Sequence, residues 1–486
     1  MSQAPAIRLV NITLLNFLAR IIFYVFVFGA GWYAARTVSR EAFGQLQFVT
    51  FVAGLSWTLL SFGVPNLLSR YLTRSVAAGS RTSVAALLRY AGSALLLTIV
   101  LMSIAYVLFF KDRHVGVPVW LMIVFTLSQF LANCMQVLIQ SVYRYKTAFS
   151  ITLVAVITGA VMVYTCLPVH GIIAYIYTFI IVNLILSVGF GIPFMKAVST
   201  MEIRAEGYEL PLRKELIRTS GYFALSAILA AILWQRTEFY LLEKLFTFSD
   251  LAVYGVAFTL IALFFEPLKL LTGTLAYYYA GIMDAKQGEQ QFQRFFAHFC
   301  WLVIFTGSFV WFNAEAIVGH IYPATYADAA IYLKWLVIGM TPGVCSYVVM
   351  NMLIGLGQSR FLLIQDFVCA IVFCTLVTAG TLWSGLQGTA VAKSIAMLLS
   401  VSMGIWYTAQ RMKFSIPWKL PLFSVLLSVA LGAVSRSMLL QDAWMLPVKF
   451  VLLYGVYVLV SYLTGMVDRG LFEKMGQELR KLFRPA

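Results

Sequence analysis

The sequence predicts an all-α integral membrane protein with about fourteen transmembrane helices, and three observations carry that expectation. The chain is 61% hydrophobic and 11% charged, with a mean hydropathy of +0.88, whereas a soluble domain carries about 25% charged residues. Its apolar residues gather into stretches close to the roughly 20 residues that cross a hydrocarbon core as a helix. A few charged residues lie inside those stretches, where charge is costly and is usually kept for function. The 486 residues then leave only short loops and no separate soluble domain.

The first stretch, near 10–33, is too long for the apolar core of a signal peptide. No small-residue cleavage site follows it, so it reads as a retained helix. Five more spans follow at about 44–66, 84–110, 117–140, 147–167 and 171–195, completing a first six-helix bundle over 1–195. Residues 196–218, KAVSTMEIRAEGYELPLRKELIR, are the longest polar interruption and read as a cytoplasmic linker, partly helical along the headgroups. A second six-helix bundle is expected over 219–412, with spans at about 219–242, 250–280, 292–312, 330–355, 361–383 and 387–410. Two additional spans, 420–440 and 446–466, occupy 413–466. The tail, 467–486, places Leu471, Phe472, Met475, Leu479, Leu482 and Phe483 on one helical face, which suits an amphipathic helix on the inner leaflet.

The net charge of +16 does not point to nucleic acid, because a membrane protein's cations are judged by side. With a cytoplasmic N-terminus, 23 of the 35 Lys and Arg residues fall on the inner side, 9 on the outer side and 3 within spans. That bias places both ends in the cytoplasm. The six cysteines lie in or beside apolar runs without CxxC spacing and read as small core residues. The four histidines are scattered, so neither a metal site nor another cofactor is expected.

The two sixes look alike. SREAFGQLQF after the first span matches SDLAVYGVAF after the seventh, with Gly44 over Gly255 at an offset of 211. VHGIIAY before the sixth span matches LQGTAVA before the twelfth, with Gly171 over Gly388 at 217. QSVYRYKTAF and GLGQSRFLLI occupy corresponding places between the fourth and fifth, and tenth and eleventh, spans. A duplicated six-helix unit follows, with copies entering the membrane from the same side and related by an axis along its normal. Such duplication puts a substrate site between the repeats in many secondary transporters.

AARTVSREAFGQLQF, LSFGVPNLLSRYLTR, WQRTEFYLLEKLFTFSDLAVYGVAF, GLGQSRFLLI and LQGTAVAKSIAMLLS, in this order and spacing, resemble the polysaccharide-biosynthesis flippases. These are O-antigen-type exporters of lipid-linked oligosaccharides, in the superfamily that also holds multidrug and lipid II flippases. The resemblance covers essentially the whole chain. One departure is Glu238 in the seventh span, where relatives often carry Asp. The resemblance implies two six-helix bundles around a central cavity, alternating access, and residence in the bacterial inner membrane. The partners it implies are a lipid-linked oligosaccharide, the bilayer, and polysaccharide-assembly proteins.

A lipid-pyrophosphate glycan needs a polar, cationic cavity that opens sideways to lipid. Arg20 in the first span offers a bidentate phosphate contact, and Arg236 and Lys269 add positive charge from the second bundle. The alternative for each is snorkelling or a structural pairing. Glu238 and Glu266 are candidates to couple transport to H⁺ or Na⁺, as is Asp366, for which an interfacial placement is the alternative. Arg236 and Glu238, two apart, do not share a helix face, whereas Glu266 and Lys269, three apart, can meet. Tyr277, Tyr278 and Tyr279 suit sugar stacking or interface anchoring. Gly63–Pro65, Pro267 and Pro342–Gly343 are candidate bends.

Three function classes compete. A membrane enzyme would need a large outer loop or a His/Asp cluster. The longest outer loop, 313–329, holds His320 and Asp328 with no third partner. A drug or metabolite antiporter of the same superfamily would favour carboxylates and aromatics over cations. Arg20, Arg236 and Lys269 favour the flippase.

Overall fold

In the computed structural model, the described residues are 4–61, 63–77, 79–110, 116–142, 144–200, 213–272, 275, 279, 285–356, 358–438 and 445–467. They form fifteen α-helices and no strand. In order these are α1 (Ala4–Thr37), α2 (Arg40–Leu60), α3 (Val64–Ala77), α4 (Arg81–Phe110), α5 (Val119–Ser141), α6 (Tyr145–Ser199), α7 (Arg213–Trp234) and α8 (Phe239–Leu245). Then come α9 (Phe248–Leu271), α10 (Ala285–Phe312), α11 (Ala314–Ile321), α12 (Ala329–Gly355), α13 (Ser359–Gln410), α14 (Lys419–Ser437) and α15 (Met445–Leu463). The middle of the expected linker, 201–212, and all but Val467 of the expected tail lie outside the described residues, as do Tyr277 and Tyr278.

Ten described helical segments are long and apolar enough to cross a membrane. Two of them, α6 with 55 residues and α13 with 52, are far longer than a bilayer is thick, and each doubles back on itself. The reversal in α6 falls at Gly171 (φ 59°, ψ −146°) and that in α13 at Ser384–Gly385, with Gly385 at φ 59°, ψ −141°. This backbone region is open essentially to glycine alone. The arms face each other across each turn. A Cβ on Gly159 would strike Val182, and one on Gly189 would strike Ile151. In α13, Gly380 lies against Gly388, and the Thr381 and Thr389 hydroxyls are hydrogen-bonded at 2.7 Å. The two hairpins supply four passes and the other eight segments one each, and the less apolar α2 and α7 have the length of two more.

Cα packing divides the chain into two compact units, 1–255 and 256–486. In the first unit α1 lies along α6, where Phe26 stacks on Phe179 at 5.4 Å and the missing side chain of Gly159 admits its ring. Asn183 Nδ2 donates to Ser128 Oγ at 3.1 Å and joins α6 to α5. Gly63 takes a positive φ of 67° and ends α2, and Pro65 sits in the first turn of α3, where its missing N–H is harmless. The apolar side of α3, with Val64, Leu67, Leu68, Tyr71 and Leu72, packs on Leu87, Leu138, Phe194 and Leu216, so one short helix gathers the ends of α4, α5, α6 and α7.

In the second unit the glycines again mark close helix contacts. Gly307 lies against Thr341, and Gly339 against the backbone of Ser394. Apolar lipid gives helices no hydrophobic reason to associate, so close packing and interhelical hydrogen bonds must hold them. The last two helices illustrate this. Trp301, Phe305 and Phe309 on α10 meet Phe450, Tyr454 and Tyr457 on α15, with Trp301 stacked on Tyr457 at 5.0 Å. Trp301 Nε1 donates to Ser461 Oγ at 2.9 Å, and the Tyr457 hydroxyl donates to the Trp301 carbonyl at 2.9 Å. Large apolar side chains such as Leu108, Leu382, Trp383 and Leu426 point outward, as a lipid-facing surface requires.

Candidate functional site

The span expected at 219–242 is broken. Helix α7 stops at Trp234, residues 235–238 are non-helical, and α8 resumes at Phe239. The Thr237 hydroxyl donates back to the Ile232 carbonyl at 2.5 Å and satisfies one of the acceptors that a helix end leaves open. Irregular backbone at membrane depth is tolerated only where protein or a polar cavity surrounds it.

Arg236 and Glu238 both lie in or beside this break, so the helix-face argument that would separate them does not apply. The Arg236 guanidinium donates to Gln47 Oε1 of α2 and stands 5.7 Å from the Phe239 ring. Gln235 Nε2 donates to Thr58 Oγ1, also on α2, at 3.0 Å. Glu238 is only 1% exposed and accepts a hydrogen bond of 3.0 Å from the fully buried Tyr254 hydroxyl on α9. The first turns of α9 close on α2 as well. Arg40 Nε donates to the Ser249 carbonyl at 3.0 Å, Phe48 meets Phe248 edge-on at 6.0 Å, and Gly44 lies directly on the Phe248 carbonyl. The break therefore presents a cation and a carboxylate held by polar partners on neighbouring helices.

Arg20 sits elsewhere in the first unit. It is half-buried on α1, and its Nε is enclosed without a hydrogen-bond partner among the described residues. Along α1 it lies about 25 Å from Thr37, whereas Gln47 lies about 12 Å along α2 from Ser39. Arg20 and Arg236 thus differ in depth by more than two helical turns.

In the second unit Lys269 and Glu266 form an ion pair of 2.5 Å on α9, flanking Pro267. The Lys269 ammonium stands 5.3 Å from the Tyr347 ring of α12, and Asn351 Nδ2 donates to Thr272 Oγ1 at 3.1 Å. Asp366 on α13 is 5% exposed and shares the electrostatic environment of Tyr347 with Lys269 and Glu266. Beside it Gln365 Nε2 donates to the Ser400 carbonyl and hydroxyl at 2.8 and 3.0 Å, which ties the two arms of α13 together. The three second-unit candidates thus gather around Tyr347.

Sequence reasoning missed one intramembrane cation. Lys393 stands among the outer residues in the charge count, but it lies eight positions into the second arm of α13 and is fully buried. Its ammonium is 4.8 Å from the Phe258 ring and 5.5 Å from the Phe373 ring. The signal was present in TAVAKSIAML, where the lysine has apolar residues on both sides. Lys449, also counted as outer, is buried in the first turns of α15.

No protein-family model matches the chain, and no curated protein matches it in sequence. Solved structures match along most of its length. The chain superposes on a lipid II flippase, MurJ, in an inward closed conformation, with a TM-score of 0.68 and 13% identity, covering 94% of this chain and 99% of that one. It superposes on an inward-facing multidrug resistance MATE family transporter of the MOP superfamily with a TM-score of 0.60 and 12% identity, over 80% of this chain and 94% of that one. A MATE transporter from Vibrio cholerae, VcmN, gives 0.60 and 13%, over 86% and 98%. The chain is thus a multi-pass, all-α membrane protein with the fold that MurJ and the MATE transporters share.

Proposed function

We propose that the protein flips a lipid-linked oligosaccharide, carried on polyprenyl pyrophosphate, from the inner to the outer leaflet by alternating access, for cell-surface polysaccharide biosynthesis. The observation that carries this reading is the broken helix at 235–238, which puts the Arg236 guanidinium on Gln47 at membrane depth. Arg20 and Lys269 extend the cationic set, and these three are the proposed substrate-binding residues. Glu238, Glu266 and Asp366 are the proposed coupling groups, for H⁺ or Na⁺. The reading places the protein in a bacterial inner membrane with both termini cytoplasmic, assigns it transport rather than catalysis, and gives it polysaccharide-assembly proteins as partners. Parallel repeats over 1–195 and 219–412 are supported by the two hairpins, whose turns share one glycine conformation at an offset of 214, between the 211 and 217 of the sequence matches.

Drug antiport is the second reading, favoured by the buried Glu238 and by the likeness to MATE transporters. Glycan export in cells lacking the wild-type gene separates the two. The expected result is loss of export with Arg236→Ala and Arg20→Ala at unchanged protein level, and partial rescue with Lys, which lacks the planar fork. Full export by both Ala variants, with drug resistance lost in Glu238→Gln, would replace the flippase by the antiporter.

A further inference from the structure

A groove of about 520 Å³ opens where residues 293–298 of α10 meet the start of α14 and the chain just after α15. Arg294 and His298 line it from α10, Trp418 and Lys419 from the start of α14, and Met466 from the far side. These ends lie on the side that the charge bias assigns to the cytoplasm.

Three features of the groove converge on an anion at a lipid surface. Arg294 and Lys419 bring two positive charges to it from different helices. Helix α14 begins at Lys419 with no side-chain cap hydrogen bond from its N-cap Trp418, and its first turn carries the positive end of the helix dipole. Trp418 is 48% exposed at the rim, the position an indole takes at headgroup level.

Glu289, one turn before Gln293 on α10, turns its carboxylate to the 411–418 connection. Glu289 Oε1 accepts from the Ser415 amide at 2.9 Å and its hydroxyl at 2.6 Å, and Gln293 Nε2 bonds the same carboxylate at 3.2 Å. That clip fixes the 411–418 connection beside α10. The apolar flanks, Ala297, Leu420 and Met466, suit the glycerol and first methylenes of a lipid.

We propose that this groove binds the headgroup of an anionic glycerophospholipid of the surrounding leaflet. The phosphate lies between Arg294, Lys419 and the start of α14. The site is independent of the transported substrate.

The test is native mass spectrometry of the full chain, purified in detergent and titrated with phosphatidylglycerol. Retained lipid is compared with that from phosphatidylcholine, and inorganic phosphate is added as a competitor. The wild type is expected to retain phosphatidylglycerol over phosphatidylcholine. Each of Arg294→Gln and Lys419→Gln should weaken retention roughly fivefold, and the pair about twenty-five-fold. Arg360→Gln, an exposed cation outside the groove, should leave retention unchanged. If the double variant fails to fold, the single variants carry the comparison. Equal retention by wild type and the groove variants, equal retention of the two lipids, or full displacement by millimolar inorganic phosphate would overturn the proposal.

Discussion

Gly44→Ala tests whether the contact between α2 and the first turns of α9 is a working closure. Gly44 has the Phe248 carbonyl directly against it, and a Cβ built there would lie far inside van der Waals distance of that oxygen. The obstacle is backbone, so no side chain can rotate away, and the two helices must part. Overpacking of this kind costs about 1–3 kcal/mol. Helix propensity offsets up to about 1 kcal/mol of that, because alanine is the better helix former. A net destabilisation of about 1–2 kcal/mol raises the population of the parted state roughly 5- to 30-fold. Amide hydrogen exchange reads this directly in segments 40–51 and 248–255, as faster exchange by the same factor. Gly54→Ala is the matched control, since it lies on the same helix with nothing within 4 Å of a built Cβ. It should slow exchange or leave it unchanged. Unaltered exchange in folded Gly44→Ala protein, or equal effects of both substitutions, would refute the idea that this close approach holds α2 and α9 together.

Three further outcomes are expected. Gly171→Ala meets no neighbour within 4 Å, so its cost is backbone strain alone, about 1–3 kcal/mol, visible as a lowered Tm in detergent. Tyr254→Phe removes the hydroxyl that donates to the buried Glu238 and should cost about 1.5–3 kcal/mol in denaturant unfolding, whereas Glu238→Gln, which keeps an acceptor, should cost less. Burial of the Glu315 carboxyl acts to raise its pKa, but the Lys334 ammonium and the Arg436 charge outweigh that and hold it below its ordinary value of 4.5. A depressed folded value means stability that is present above pH 4.5 and lost as pH falls through the folded value. Lys334→Met should therefore flatten the acid limb of a plot of Tm against pH, and an unchanged limb would deny the pair any linkage.

Fold class was legible because the bilayer imposes one length and one polarity on every span. Gly171 was matched to Gly388 in sequence, and the backbone conformation of Gly171 recurs three residues earlier, at Gly385. The sequence match followed the neighbouring Gln-Gly and His-Gly pairs, and a turn geometry leaves no mark on composition. The i,i+3 spacing of Glu266 and Lys269 was enough to anticipate their ion pair. The break at 235–238 was not legible, because Gln235, Arg236 and Thr237 are ordinary helix surface residues and only their partners on α2 and the back-bond to Ile232 show why the helix stops. Lys393 escaped for the opposite reason. The tight turn at Gly385 leaves almost no loop, so a residue counted as outside is already deep in the second arm.

Those near-loopless turns also constrain how the chain enters a membrane. An insertion machinery that orients spans by holding back cations finds none at the turns, since the first arm runs apolar into Gly171 and into Gly385. Orientation information for each pair then resides at its open end, in Arg144, Lys146 and Lys196 for α6 and in Arg360, Arg411 and Lys413 for α13. Each pair closes on itself through its own arms, with Gly189 against Ile151 in α6 and Gly380 against Gly388 in α13. Chain order then gives an order of assembly: α1–α5 precede the α6 pair and α10–α12 precede the α13 pair, so each hairpin docks onto helices already made.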